Sequence, residues 1–179
     1  MHVLKDEKRI QLIEDGLKRF STEVLPKLDS LPKQVIHGDW NEHNILASQN
    51  ENGQFCVIGF LDIGDTIYSY RVLDVAIAMM YFCHLENALN SMTPIEAAGH
   101  VLAGYQSVFP LSETEISLLH ASIAARFCQS LVYGAYMYTL NPENEYVLFS
   151  ANKGWKIFEE FLKLPREEVL TTWRNMCAS

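Results

Sequence analysis

The chain has 179 residues, 49% of them hydrophobic and 20% charged, a balance that suits one globular domain with a substantial core and excludes a largely disordered chain. A formal net charge of −8 disfavours nucleic acid or an anionic membrane as the main partner and is compatible with a cationic small substrate. The longest apolar run, Val75 to Cys83, is far short of a membrane span, and no signal-peptide core follows the charged start Lys5-Asp6-Glu7-Lys8-Arg9. The cytoplasm is therefore the expected setting. Cys56, Cys83, Cys128 and Cys177 are scattered without a C-x-x-C pair, so reduced, buried thiols are expected rather than a zinc site or a disulfide framework.

In chain order, Ile10, Ile13, Leu17, Phe20, Val24 and Leu28 recur at steps of three and four, the stripe of an amphipathic helix that should end before Pro32. Val35-Ile36 leads into a polar motif. Asn44 to Ser48 and Phe55 to Leu61 then flank Gln49-Asn50-Glu51-Asn52-Gly53-Gln54, the pattern of a hairpin turning near Asn52-Gly53. After Asp65 the strand signals stop. Helical patterns follow over Leu73 to Leu89, Pro94 to Val108, Glu113 to Leu140, Glu143 to Leu162 and Glu167 to Met176. Ser112-Glu113-Thr114-Glu115 fits a capping box, and Thr93-Pro94-Ile95-Glu96 fits an N-cap followed by proline at the first helical position. Ala121 to Tyr138 is apolar nearly all round, which predicts a central buried helix. No linker divides the chain, so residues 1–179 read as a single α+β domain, mostly helical, with a short hairpin beside the polar motif.

The polar motif carries the chemistry. It runs His37-Gly38-Asp39-Trp40-Asn41-Glu42-His43-Asn44 and is followed by Leu61-Asp62-Ile63-Gly64-Asp65. A hydroxyl attacking a terminal phosphate needs a carboxylate to orient it and accept its proton, and a divalent metal to neutralise the phosphate oxygens. Asp39 suits the first task; the amide oxygen of Asn44 and the carboxylate of Asp62 suit the second, as hard ligands for Mg²⁺. His37 reads as a structural histidine that holds the loop. A zinc constellation of His37, Asp39 and His43 lacks the usual spacing. Asp65 either orients the loop after Asp62 or faces substrate. Asp74 reads as a helix-starting residue with Arg71 as its candidate partner, and Trp40, Tyr68 and Tyr70 as packing or pocket-lining aromatics. Arg126, in an otherwise apolar helix, would need a carboxylate of the substrate or of the protein if buried. Nothing before His37 supplies the glycine-rich loop and strand lysine that would cover and clamp a nucleotide's phosphates.

His-Gly-Asp-x-x-x-x-Asn followed by Leu-Asp-x-Gly-Asp resembles the signature of the aminoglycoside phosphotransferase and choline kinase-like superfamily, in which a protein-kinase fold phosphorylates small molecules. The segments His37 to Asn44, His100 to Gly104, Arg126 to Leu131 and Asn141 to Asn144 are similar to the hydroxylysine kinases, and the resemblance runs over essentially the whole chain. It implies the larger, C-terminal kinase lobe, with the nucleotide-clamping N-terminal lobe absent. It also implies GTP-dependent phosphorylation of the side-chain hydroxyl of free 5-hydroxy-L-lysine, with ATP as the alternative donor and Mg²⁺ as cofactor. By position, Asp39 is then the catalytic base, and Asn44 and Asp62 the metal ligands at the nucleotide. Two other readings stay open: a catalytically silent binding or regulatory module, and a kinase for another amino alcohol or an aminoglycoside.

Overall fold

The computed structural model describes residues 3–83, 92–141, 143 and 145–178, with residues 145–152 described by backbone alone. The first helix, α1 (Glu7–Arg19), is capped by Asp6, whose carboxylate accepts the Arg9 amide at 3.1 Å. It widens into a π-helical turn at Phe20–Val24 and tightens into a 3₁₀ segment at Leu25–Ser30 that carries Pro26 in its first turn. Most of the expected stripe packs inward, Ile13 and Val24 being fully buried, but Leu17 is half exposed. The change in helical pitch re-aims the stripe after Arg19.

Among the described residues, four short strands make two antiparallel pairs. Strands β2 (Ile45–Gln49) and β3 (Phe55–Phe60) form the expected hairpin, with a bulge between Leu46 and Ala47. In its turn the Asn50 side chain accepts the amides of Asn52 and Gln54, both at 3.0 Å, while Gly53 takes the left-handed conformation (φ 75°). The second pair corrects the sequence reading, because strand structure does not stop after Asp65. Strand β4 (Ile67–Tyr70) pairs with β1 (Lys33–Ile36), Ile36 opposite Ile67 and Lys33 opposite Tyr70. Each strand has only four residues and no hairpin turn joins them, so no local alternation or turn signal reveals the pairing.

The remaining helices are α2 (Arg71–Phe82), α3 (Pro94–Val108), α4 (Glu113–Leu140), α5 (Glu145–Lys163) and α6 (Arg166–Ala178). The part of the expected second helix beyond Cys83, and Pro142 and Asn144 of the later family-like segment, lie outside the described residues. Both N-terminal signals act as capping boxes: Thr93 and Glu96 exchange hydrogen bonds at the start of α3, as do Ser112 and Glu115 at the start of α4. Helix α4 packs against α1, α2, α5 and α6, and α3 lies between α2 and α6. The core holds Val72, Met79, Leu119, Phe127, Phe158 and Trp173, with Phe127 and Phe158 stacked at 5.2 Å. Gly16 permits the close approach of α1 to α4, since a Cβ there would lie 2.6 Å from Cys128 Sγ. Helix α4 is buried only over its first two-thirds; Tyr133, Tyr136 and Leu140 are exposed, against the expectation of a helix buried throughout. Its length carries it past the neighbours that cover its start. Cys83 and Cys128 are buried as expected, with burial pushing both thiols up to about 12, whereas Cys56 is exposed on the hairpin. Among the described residues no helix is long and apolar enough to cross a membrane.

Candidate active site

The loop from His37 to Asn44 is held from below by Asp74, in the first turn of α2. Its two carboxylate oxygens accept the amide of His37 at 3.3 Å, the amide of Gly38 at 2.9 Å and the indole N–H of Trp40 at 3.1 Å. A carboxylate in the first turn also meets the positive end of the helix dipole. This corrects the sequence reading of Asp74 as an Arg71 partner. Arg71 instead forms a bidentate pair with buried Glu115, its Nε and Nη2 each 2.7 Å from a carboxylate oxygen. Burial pushes the Glu115 carboxyl up, but hydrogen bonds from Arg71 and Ser112 outweigh it and leave the acid below its ordinary range. The pair fastens the start of α2, and hence Asp74, to the start of α4.

His37 is buried and bonds the chain on either side of it. Its Nε2 lies 2.8 Å from the Leu61 carbonyl, so the ring donates there and its Nδ1 accepts the Asp39 amide at 3.3 Å. Its ring stacks on Trp40 at 4.4 Å, which makes Trp40 a packing residue of this loop. Gly38 has φ 87°, and a Cβ at this position would sit 2.7 Å from the Asp65 carbonyl oxygen. The loop can therefore meet the Asp62 to Asp65 segment only where glycine stands. Asp65 makes that contact through its backbone.

Asp39 presents its two oxygens to different partners. Oδ1 accepts from Arg126 Nη2 at 2.6 Å, and Oδ2 accepts from Asn41 Nδ2 at 3.0 Å. Buried Asn41 also caps the 3₁₀ turn Glu42–Asn44, accepting the His43 amide at 2.9 Å. Sequence reasoning left Asn41 without a role, although it lies inside the motif. Asn44 is buried and donates its side-chain N–H to the Asp39 carbonyl at 2.9 Å. The Asn44 carbonyl in turn accepts the Leu61 amide at 2.9 Å, so the motif loop and the segment leading to Asp62 are joined directly. Asp62 is exposed and has left-handed backbone geometry (φ 56°, ψ 58°), the only non-glycine residue with positive φ among those described. A strained carboxylate at a strand end is a frequent feature of functional sites.

One amide oxygen and one carboxylate fit Mg²⁺, which keeps waters and shares its shell with substrate phosphates rather than occupying a closed protein cage. Among the described residues no group of three or more His, Cys, Asp or Glu side chains is assembled. The zinc reading of His37, Asp39 and His43 is thus set aside, with His37 committed to Leu61 and Asp39. Tyr68 is exposed and Tyr70 lies under the Lys33 ammonium at 4.6 Å. A cavity of about 460 Å³ among α3, α5 and α6 shares no lining residue with the loop from His37 to Asn44, so it is separate from this candidate site.

The mostly helical α+β frame, with its short hairpin beside the loop from His37 to Asn44, is that of a kinase-like lobe. The profile of the phosphotransferase enzyme family matches residues 2–115, and the chain belongs to that family. Over 178 residues it is 37% identical to hydroxylysine kinase of Bos taurus, covering 97% of this chain and 46% of that protein. It is 32% identical over 174 residues to hydroxylysine kinase of Danio rerio, covering 97% of this chain and 48% of that protein. Homoserine kinase of Agrobacterium fabrum is 30% identical over 140 residues, 72% of this chain and 40% of that protein. The chain thus spans about half the length of the curated relatives it matches.

Proposed function

We propose that the chain is the acceptor and metal-binding part of a small-molecule kinase acting on 5-hydroxy-L-lysine, with GTP or ATP as donor. The single observation that supports this reading is the hydrogen-bonded join of Asp39 to Asn44 and of Asn44 to Leu61, the residue before Asp62. The hydroxylysine kinase relatives favour that acceptor, and the preference for GTP over ATP rests on the resemblance to those kinases. The product would be 5-phosphohydroxylysine, entering lysine breakdown in the cytoplasm. Hydroxylysine and homoserine, the acceptors in the relatives' names, share an α-amino group, an α-carboxylate and a side-chain hydroxyl.

Asp39 orients the acceptor hydroxyl and takes its proton at Oδ2 or, once Arg126 moves, at Oδ1. Asn41 keeps the carboxylate from rotating, and Asn44 fixes the loop on which it stands. Asn44 through its side-chain oxygen and Asp62 through its carboxylate would hold Mg²⁺. When bound, that ion neutralises charge on the transferring phosphoryl group. The residues from 1 to 179 act as one domain, and the smaller lobe that clamps the nucleotide lies outside them. Positioning and electrostatic stabilisation dominate phosphoryl transfer, so the chain alone is expected to bind acceptor with little or no turnover.

Calorimetric titration of 5-hydroxylysine and of lysine, with mass spectrometry for phosphohydroxylysine in the presence of Mg²⁺ and GTP or ATP, tests this. A hydrogen bond to a charged group corresponds to about tenfold in affinity, so hydroxylysine should bind about tenfold more tightly than lysine, and Asp39→Asn should erase most of that preference. No binding of hydroxylysine overturns the acceptor assignment. Abundant product that vanishes in Asp39→Asn would keep the assignment and overturn the requirement for the second lobe.

A further inference from the structure

Arg126 stands in the middle of α4, with its side chain 15% exposed and its guanidinium against the candidate base. Its Nη2 donates to Asp39 Oδ1 at 2.6 Å and to Tyr81 Oη at 3.1 Å, its Nη1 donates to Gln129 Oε1 at 2.9 Å, and its carbon lies 5.3 Å from the Tyr81 ring centre. Its Nε is buried with no hydrogen-bond partner among the described residues. Leaving such a buried donor unpaired is costly, and a ligand that satisfies it recovers that cost.

The same molecule contains the completed version of this arrangement. Arg71 uses the Nε and Nη2 edge of its guanidinium to grip both oxygens of Glu115, at 2.7 Å each. On Arg126 that edge is half used: Nη2 reaches one oxygen of Asp39, whose other oxygen is turned to Asn41, and Nε reaches nothing. A fork of this geometry matches a planar carboxylate.

We infer that Arg126 binds the α-carboxylate of the acceptor, so the site selects free α-amino acids with a side-chain hydroxyl over amino alcohols and aminoglycosides that lack a carboxylate. The inference rests on the acceptor reading above. An entering carboxylate takes Nε and Nη2 as Glu115 takes those of Arg71, Tyr81 and Gln129 keep hold of the guanidinium, and Asp39 Oδ1 is released towards the acceptor hydroxyl. Substrate binding and exposure of the base are then one exchange of partners. Arg126 is in this sense a specificity-determining residue.

The test compares 5-hydroxylysine with its decarboxylated diamine analogue, by calorimetry, on the full 179-residue chain and on Arg126→Met. A charge-assisted fork should favour hydroxylysine by about tenfold or more in the natural chain, and the ratio should fall close to one in Arg126→Met. The Arg126 Nε–H resonance, assigned by its disappearance in Arg126→Lys, should shift with hydroxylysine and stay in place with the diamine. That shift is read on the natural chain, so it stands even if Arg126→Met does not fold. Equal binding of the two ligands by the natural chain, with no shift, overturns the inference and leaves the acceptor reading intact. Discrimination that survives in Arg126→Met assigns the carboxylate elsewhere and overturns the role of Arg126. Binding of neither ligand overturns the acceptor reading and this inference with it.

Discussion

Asp74 organises the loop from His37 to Asn44 although it lies outside the motif. Three N–H donors, from His37, Gly38 and Trp40, converge on its carboxylate, which is 8% exposed. Removing the acceptor strands these donors in a region that water reaches poorly. Asp74→Ala is therefore expected to lower stability by about 1–3 kcal/mol, read from urea denaturation, and to speed hydrogen exchange at the amides of residues 37 and 38. Unchanged exchange there would remove Asp74 from the account of the loop. The residue's identity suggests a helix start from sequence, and it does stand in the first turn of α2. Its partners are not legible, because they lie 34 to 37 positions away and no local spacing points to them.

At the level of elements, α4 joins the site to the core. Glu115 at its start anchors α2, Arg126 in its middle faces Asp39, and between them His120 is fully buried, stacked on Phe161 at 4.6 Å. Burial first, and then the nearby positive charges of Arg19 and Arg166, lower the His120 pKa to about 4 from an ordinary 6.5. The folded protein thus holds this ring neutral where the unfolded chain would already bind a proton. The stability from His120 is fully present above pH 6.5 and is lost as the pH falls towards 4, amounting to about 3 kcal/mol. Thermal melts across that range should show a shallower pH dependence for His120→Phe than for the natural chain. Parallel curves would mean that other groups carry the acid sensitivity. The capping boxes, hairpin turn and helix spans were legible because each is written within a few neighbouring residues. The β1–β4 pair was not, since its register depends on two segments brought together by everything between them.

Over the whole molecule, apolar side chains gather on the surface of the strands. Phe55, Val57, Ile58 and Phe60 of β3 are 77%, 70%, 68% and 58% exposed, and Val35, Ile67 and Tyr68 of the other pair are exposed as well. Extended apolar surfaces of this kind mark interaction faces in soluble proteins. The isolated chain is expected to associate with rising concentration in sedimentation velocity, and a Phe55→Ser, Ile58→Ser double variant to associate less. A chain that stays monomeric at high concentration would show that this face needs no cover.

The sequence by itself determined the mostly helical α+β class, the hairpin and the motif from His37 to Asp65, because capping, periodicity and the chemistry of neighbouring side chains are local properties of a chain. It also singled out Asp39, Asn44 and Asp62 as candidate site residues, by their spacing in the motif. Only the tertiary structure decided that Asp74 holds the loop, that Arg71 belongs to Glu115, and that Arg126 reaches Asp39 across 87 positions. Those partnerships arise from how helices pack on one another, and packing brings together residues whose separation along the chain carries no signal.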